Sequence, residues 1–266
     1  MELRFEGIHK IWPDGTRALN GIDLVVPAGQ FCVLLGHSGA GKSTLLCCVN
    51  GLETPSQGQV RVNGHLVDRH SLPLLRRRIA MVHQHFNLVP RASGAANVMA
   101  GALPAIPFWR MITGLYPPAL KRKACELMAA VGLEESHLRR RAEQLSGGQQ
   151  QRLGLARAFI LDPAAILADE PVASLDPSLG REVMDLLRAQ ARERGATVLC
   201  SLHQIDLARG FADRIVALHR GRIIFDGPPE ALRERDLAII YAKANGTSAP
   251  DLTGLGTPAA RRRIAP

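Results

Sequence analysis

Phe31-Cys32-Val33-Leu34-Leu35 runs without a break into Gly36-His37-Ser38-Gly39-Ala40-Gly41-Lys42-Ser43-Thr44. The five consecutive apolar residues read as a short β-strand, and Ser43 to Asn50 reads as a helix that Gly51 stops as a C-terminal cap. Strand, glycine-rich loop and helix, in that order, form a phosphate-binding context. Glycines let consecutive backbone N–H groups converge on an anion, and the helix N-terminus adds a favourable dipole. Within the loop Gly36-His37-Ser38-Gly39-Ala40-Gly41-Lys42-Ser43, Lys42 is placed to reach β- and γ-phosphate oxygens and Ser43 to give Mg²⁺ a hydroxyl ligand. Thr44 adds a phosphate contact. The pattern fixes four positions, so chance yields it roughly once in 10⁴–10⁵ positions.

Further β-like runs lie at Leu3 to Phe5, Ile22 to Val26, Gln59 to Val62 and Ile79 to Val82. From about Phe86 to Phe159 such runs cease and the pattern turns helical, as in Leu120 to Val131 before Gly132, which predicts a helical insert. Strand runs resume at Ile166 to Asp169, Thr197 to Ser201 and Ile215 to Leu218, with a helix-like stretch from Gly180 to Arg194 between them. Strands alternating with helices predict an α/β fold with a mainly parallel sheet. The expected organisation is one domain over residues 1–244, with a core of 1–85 and 161–244 and a helical subdomain at 86–160. Residues 245–266, rich in Ala, Gly, Thr, Pro and Arg, are expected to form a flexible basic tail.

A phosphate loop needs a second strand bearing carboxylates to hold its metal. Ala165-Ile166-Leu167-Ala168-Asp169-Glu170 is an apolar run ending in two acids, and charge at a buried edge is costly unless metal or substrate pairs it. Asp169 is placed to orient Mg²⁺ and Glu170 to polarise an attacking water as general base. Gln84 follows the run Ile79 to Val82 at the entrance to the insert, in reach of metal or water. His203 follows Thr197 to Ser201, in reach of a γ-phosphate.

A second motif, Leu145-Ser146-Gly147-Gly148-Gln149, lies within the helical region. A fixed five-residue string arises by chance about once in 10⁶ positions, so it narrows the reading more than the loop does.

A chain of 266 residues with 46% hydrophobic composition can bury a large core, which excludes disorder for most of its length. No apolar run approaches the roughly 20 residues needed to cross a bilayer. The opening Met1-Glu2-Leu3-Arg4-Phe5-Glu6 lacks the plan of a secretory signal, so a cytosolic location is expected. The five cysteines, Cys32, Cys47, Cys48, Cys125 and Cys200, show no metal-ligand spacing and read as buried reduced thiols. The net charge of +9 concentrates in Arg76-Arg77-Arg78, Arg139-Arg140-Arg141 and Arg261-Arg262-Arg263, without interleaved aromatics. These read as solvated faces, not a nucleic-acid surface.

With these motifs in place the chain resembles the nucleotide-binding subunits of ATP-binding cassette transporters. The resemblance covers about residues 1 to 240 and takes in the phosphate loop, Gln84, the LSGGQ signature, Asp169-Glu170, Ser174-Leu175-Asp176 and His203 in order. It implies a P-loop NTPase core with an N-terminal antiparallel β subdomain and an inserted α-helical subdomain. It also implies ATP and Mg²⁺ as ligands, catalytic roles for Lys42, Gln84, Glu170 and His203, and metal contacts from Ser43, Gln84 and Asp169. Trp12 matches the aromatic that stacks on adenine, and Asp176 keeps its place despite the Ala173-Ser174 order. Ser146, Gly147, Gly148 and Gln149 would face a γ-phosphate held by the other subunit of a homodimer.

Among such subunits, His85 to Arg91, the run Gly101 to Arg110 with its Pro107-Phe108-Trp109-Arg110 end, Ile166 to Pro177 and Leu202 to Asp206 resemble those of phosphonate importers. The implied setting is the cytoplasmic face of the cell membrane, on two permease subunits, with an extracytoplasmic solute-binding protein delivering cargo and no nucleic acid. A soluble phosphonate-degrading complex and an importer of another small solute are the alternatives. The Phe108-Trp109-Arg110 element either faces the membrane partner or packs within the insert.

Overall fold

The computed structural model describes residues 1–84, 87–173 and 175–241, without the side chains of Phe108, Met111 and Ile112. The readings placed on His85, Phe86, Ser174, the Phe108 side chain and the tail at 245–266 lie outside the described residues.

Two sheets organise the chain. β1 (Leu3–Ile11), β2 (Arg17–Val26), β4 (Gln57–Val62) and β5 (His65–Leu66) form an antiparallel sheet in the order β2-β1-β4-β5. β3 (Phe31–Leu35), β6 (Ile79–Val82), β7 (Ala165–Asp169), β8 (Thr197–Leu202), β9 (Arg214–His219) and β10 (Arg222–Gly227) form the second, in the order β10-β9-β3-β8-β7-β6. Its neighbours run parallel except β10, which returns antiparallel along β9. The helices α1 (Lys42–Val49) and α2 (Leu72–Leu75) lie on the N-terminal side of β6. The insert between β6 and β7 contains α3 (Gly94–Ala100), α4 (Phe108–Thr113), α5 (Pro118–Ala130), α6 (Glu135–Arg139) and α7 (Gly147–Phe159). It holds no named strand among the described residues. α8 (Pro177–Glu193), α9 (Ile205–Phe211) and α10 (Glu234–Ile240) complete the core.

The central strands β3, β7, β8 and β9 are buried on both faces, and their alternation assigns each face to a different core. Phe31, Val33 and Leu35 of β3, with Val198, Cys200 and Leu202 of β8, pack with residues of the insert and of α8 and α9. Cys32 and Leu34, with Leu199, Leu167 and Val216, pack instead against α1 and the antiparallel sheet. Strands sandwiched this way read as continuous apolar runs, which is why the central strands are legible in the sequence.

The antiparallel strands are longer than their apolar runs suggest. β1 continues past Phe5 because Gly7 takes φ +56° at a register shift, after which the polar half through His9 and Lys10 remains paired with β2 and β4. α8 begins at Pro177, ahead of the expected Gly180, because Asp176 caps it by accepting from the Leu179 N–H at 3.0 Å.

The reading of five buried thiols needs correction. All five cysteines are free; Cys32, Cys48 and Cys200 are buried, Cys47 is half-buried and Cys125 is exposed. Cys125 sits on α5, whose inward stripe is Ala124, Leu127 and Met128, so its position in the helical period turns it outward. Burial pushes the Cys32 thiol up to about 12, so it stays protonated. The arginines at 76–78 and 139–141 are exposed as expected. Among the described residues no helix is long and apolar enough to cross a membrane.

Candidate active site

β3 delivers the glycine-rich loop at its carboxyl end, and the loop is shaped by contacts that exclude side chains. A Cβ at Gly36 would lie 2.5 Å from the Leu218 carbonyl oxygen, and one at Gly41 would lie 2.4 Å from the Ala18 carbonyl oxygen. Gly41 also holds φ +102° as the residue before α1. We expect Gly41→Ala to lower the melting temperature by several degrees and to abolish nucleotide binding, because neither backbone can yield; calorimetry and a binding titration check it. His37, Ser38 and Gly39 are exposed, so the mouth of the loop is open.

Lys42 opens α1 and turns its ammonium back over the loop. It is 4% exposed, and its Nζ donates to the carbonyls of Gly36 at 2.8 Å and His37 at 3.1 Å. Burial lowers its pKa, while the nearby carboxylates of Glu170 and Asp169 oppose that shift. Lys42 Nζ lies 3.8 Å from Glu170 Oε1. A buried ammonium closing a cradle of N–H groups is suited to a polyanion.

Adjacent parallel strands bring the acids to the same edge. β7 is paired with β8 so that Asp169 lies beside Ser201. Asp169 Oδ1 accepts from Ser43 Oγ at 2.9 Å and from Ser201 Oγ at 2.7 Å. The Glu170 N–H donates to the same Ser201 Oγ at 2.9 Å. Glu170 itself sits at φ +48°, a conformation costly for a residue with a Cβ, and its carboxylate meets His203 Nε2. The loop carrying His203 is fastened by Tyr241, whose hydroxyl donates to the His203 carbonyl at 2.8 Å. Ser201 and Tyr241 make contacts to the candidate site residues that the sequence does not single out. The signal for Ser201 is a hydroxyl near the end of an apolar strand, and the register that sets it opposite Asp169 comes only with the fold.

The hydroxyl of Ser43 and the carboxylate of Asp169 form a hard-oxygen pair that suits Mg²⁺. Among the described residues no cluster of three or more His, Cys, Asp or Glu could hold a metal by itself. A cation here would therefore complete its shell with phosphate oxygens and water, which is the usual habit of Mg²⁺.

The remaining expected site residues lie apart from this cluster. Gln84 is exposed at the same sheet edge, two residues past Val82, which pairs with Ala168; among the described residues it makes no hydrogen bond to the cluster. Trp12 is half-buried at the end of β1. The LSGGQ motif starts α7: Ser146 Oγ accepts from the Gln149 N–H at 3.3 Å, and Gln149 Oε1 accepts from the Ser146 N–H at 2.9 Å. A Cβ on Gly148 would meet Leu179 Cδ2 at 2.6 Å, so the start of α7 packs against the start of α8 next to Asp176. Hydrogen bonds from the Leu179 N–H and then from Ser178 Oγ hold the Asp176 pKa below the usual carboxylate range. No hydrogen bond joins Ser146 to Gln149 with the Lys42–Glu170 cluster among the described residues.

The ABC transporter family profile matches residues 19–173. The phosphonates import ATP-binding protein PhnC of Hydrogenovibrio crunogenus is 50% identical over 232 residues, covering 87% of this chain and 85% of its own length. The protein of the same name from Bdellovibrio bacteriovorus is 42% identical over 253 residues, covering 94% and 97%. Among solved structures, cbiO1 of Clostridium perfringens, part of an ABC transporter complex, superposes with a TM-score of 0.76 at 30% identity, covering 88% of this chain and 92% of that one. The ATP-binding cassette MJ0796, a dimer in a post-hydrolysis state with ADP and Pi, superposes at 0.73 and 31% identity, covering 86% and 100%. On its glycine-rich loop, its paired acids and this similarity over most of its length, the chain belongs to the ABC transporter family as an ATP-binding subunit.

Proposed function

We propose that this chain hydrolyses ATP to power import of phosphonates or related phosphorus oxyanions. The observation that carries the catalytic half is the convergence of Lys42, Ser43, Asp169, Glu170 and His203 at one sheet edge through the contacts of Ser43, Ser201 and Glu170. The cargo rests on relatives such as the 50% identical phosphonates import protein.

In this reading the backbone from Gly36 to Thr44 cradles the phosphates, Lys42 contacts the β- and γ-oxygens, and Trp12 stacks on the adenine. Ser43 and Asp169, with Gln84, would hold Mg²⁺, which when bound would neutralise charge on the phosphates. Glu170 takes the proton of the attacking water, and His203 both orients Glu170 and bonds the γ-phosphate. Ser146, Gly147, Gly148 and Gln149 present the N-terminus of α7 to the γ-phosphate held by a second copy, and Asp176 lies across the same interface. Each composite site thus needs two chains, in keeping with a signature that among the described residues makes no hydrogen bond to its own glycine-rich loop.

Residues 1–85 and 161–244 then serve as the ATPase core and 86–160 as the arm that meets the permease pair at the cytoplasmic face of the membrane. A groove of about 490 Å³ between core and insert, lined by Arg76, Arg77, Val89 and Leu103 among others, suits a membrane-subunit segment. Trp109 is 54% exposed, which favours a partner-facing role over packing within the insert. The test is uptake of labelled phosphonate, phosphite and phosphate in cells with and without this subunit. Uptake of a phosphorus oxyanion that disappears with the subunit supports the reading, and unchanged uptake of all three overturns it.

A further inference from the structure

Beside Trp12 stands a cation that the mechanism above does not use. Lys10 Nζ lies over the Trp12 indole, 4.6 Å from the ring centroid. It is held there by Glu53 Oε2 at 2.7 Å and by the Thr54 carbonyl at 2.9 Å, and its side chain is only 13% exposed. The segment bearing Glu53 and Thr54 follows α1, and it is stitched to β1 again by Ser56: the Ser56 N–H donates to the His9 carbonyl at 2.7 Å and the Ile11 N–H donates to Ser56 Oγ at 3.0 Å. A flexible lysine is therefore pinned at both its backbone and its ammonium. The turn that presents Trp12 is closed by its own hydrogen bonds to Thr16 and Gly15, each at 2.9 Å.

We propose that Lys10 is a positioning residue for the base platform: its ammonium, clamped by Glu53 and Thr54 on one face of the Trp12 ring, fixes the indole so that the opposite face receives adenine. This rests on the reading of Trp12 as the adenine-stacking residue. An ammonium over an indole face is attracted to the electron-rich ring and restricts its rotation, so the stacking surface is arranged before the nucleotide arrives. The same clamp links the platform to the segment leaving α1, whose first turn carries Lys42 and Ser43. Base and phosphate ends are thereby braced against one helix.

Lys10→Met keeps the apolar stem and removes the charge. ATP affinity of the full chain is expected to fall about fivefold, the scale of a half-buried cation–π contact, with the loss appearing in KM and not in kcat. Affinity for Mg²⁺-tripolyphosphate, which has no base, is expected to stay at the wild-type value. Lys10→Arg should restore ATP affinity, and Glu53→Gln, which loosens the clamp but leaves Lys10 in place, should weaken it about twofold. Should Lys10→Met fail to fold, the Glu53→Gln and Lys10→Arg titrations decide the matter by the same criteria. Wild-type ATP affinity in Lys10→Met, or an equal loss for tripolyphosphate, would overturn the proposal, the latter making Lys10 a tether of the phosphate helix. Trp12→Ala separates the two readings. If it weakens ATP but not tripolyphosphate while Lys10→Met leaves ATP unchanged, only the Lys10 proposal fails. If Trp12→Ala binds ATP as wild type does, the platform reading fails and takes the Lys10 proposal with it.

Discussion

Glu170→Gln is expected to reduce steady-state ATP hydrolysis by about 10²–10³-fold, within the range general-base catalysis supplies, and to hold the chain as an ATP-bound dimer. The amide preserves the shape of a side chain whose backbone already sits at φ +48° and whose N–H is anchored to Ser201 Oγ at 2.9 Å, so no new strain enters. What disappears is the basic oxygen that faces His203 and lies 3.8 Å from Lys42 Nζ. Nucleotide binding should survive, since Gly36 to Thr44 are untouched. Size-exclusion chromatography with and without ATP, beside a phosphate-release assay, reads both effects. Undiminished hydrolysis would remove Glu170 from the role of base.

Lys42→Ala acts one step earlier, on binding itself. The ammonium is buried and holds the Gly36 and His37 carbonyls at 2.8 and 3.1 Å, so truncation is expected to remove the proposed phosphate contact and the clasp of its own loop together. Hydrogen bonds to a charged group contribute about 1.5–3 kcal/mol each, so ATP affinity should fall by roughly a hundredfold. It also leaves Glu170 facing the site without its neighbouring cation. Calorimetric titration checks this, and an ATP affinity equal to wild type would require another account of the loop.

The two variants divide along the line between local and distant structure. Strand, loop and helix at 31–50 were readable because the phosphate cradle is built from consecutive residues, and its glycines are demanded by conformation and close approach in place. Central strands were readable for a related reason: burial on both faces leaves an unbroken apolar run. β1 runs to Ile11, past the apolar run that ends at Phe5, because pairing to two neighbours sustains a strand through Gly7 and a polar half that periodicity discounts. Cys125 is exposed against expectation because apolar surroundings in sequence do not say which side of a helix faces inward.

Residue order alone established a nucleotide-binding α/β chain, its motif series and the side-chain chemistry available to it. The assembled fold established that Ser43 reaches Asp169 across 126 positions, that Ser201 Oγ bonds both the Asp169 carboxylate and the Glu170 N–H, and that Glu53 holds the Lys10 ammonium that lies over the Trp12 ring. Parallel pairing brings the carboxyl ends of β3, β7 and β8 to one edge whatever their separation along the chain, and the register of those pairs decides which side chains touch. Register is a property of the packed sheet, and no single strand carries it.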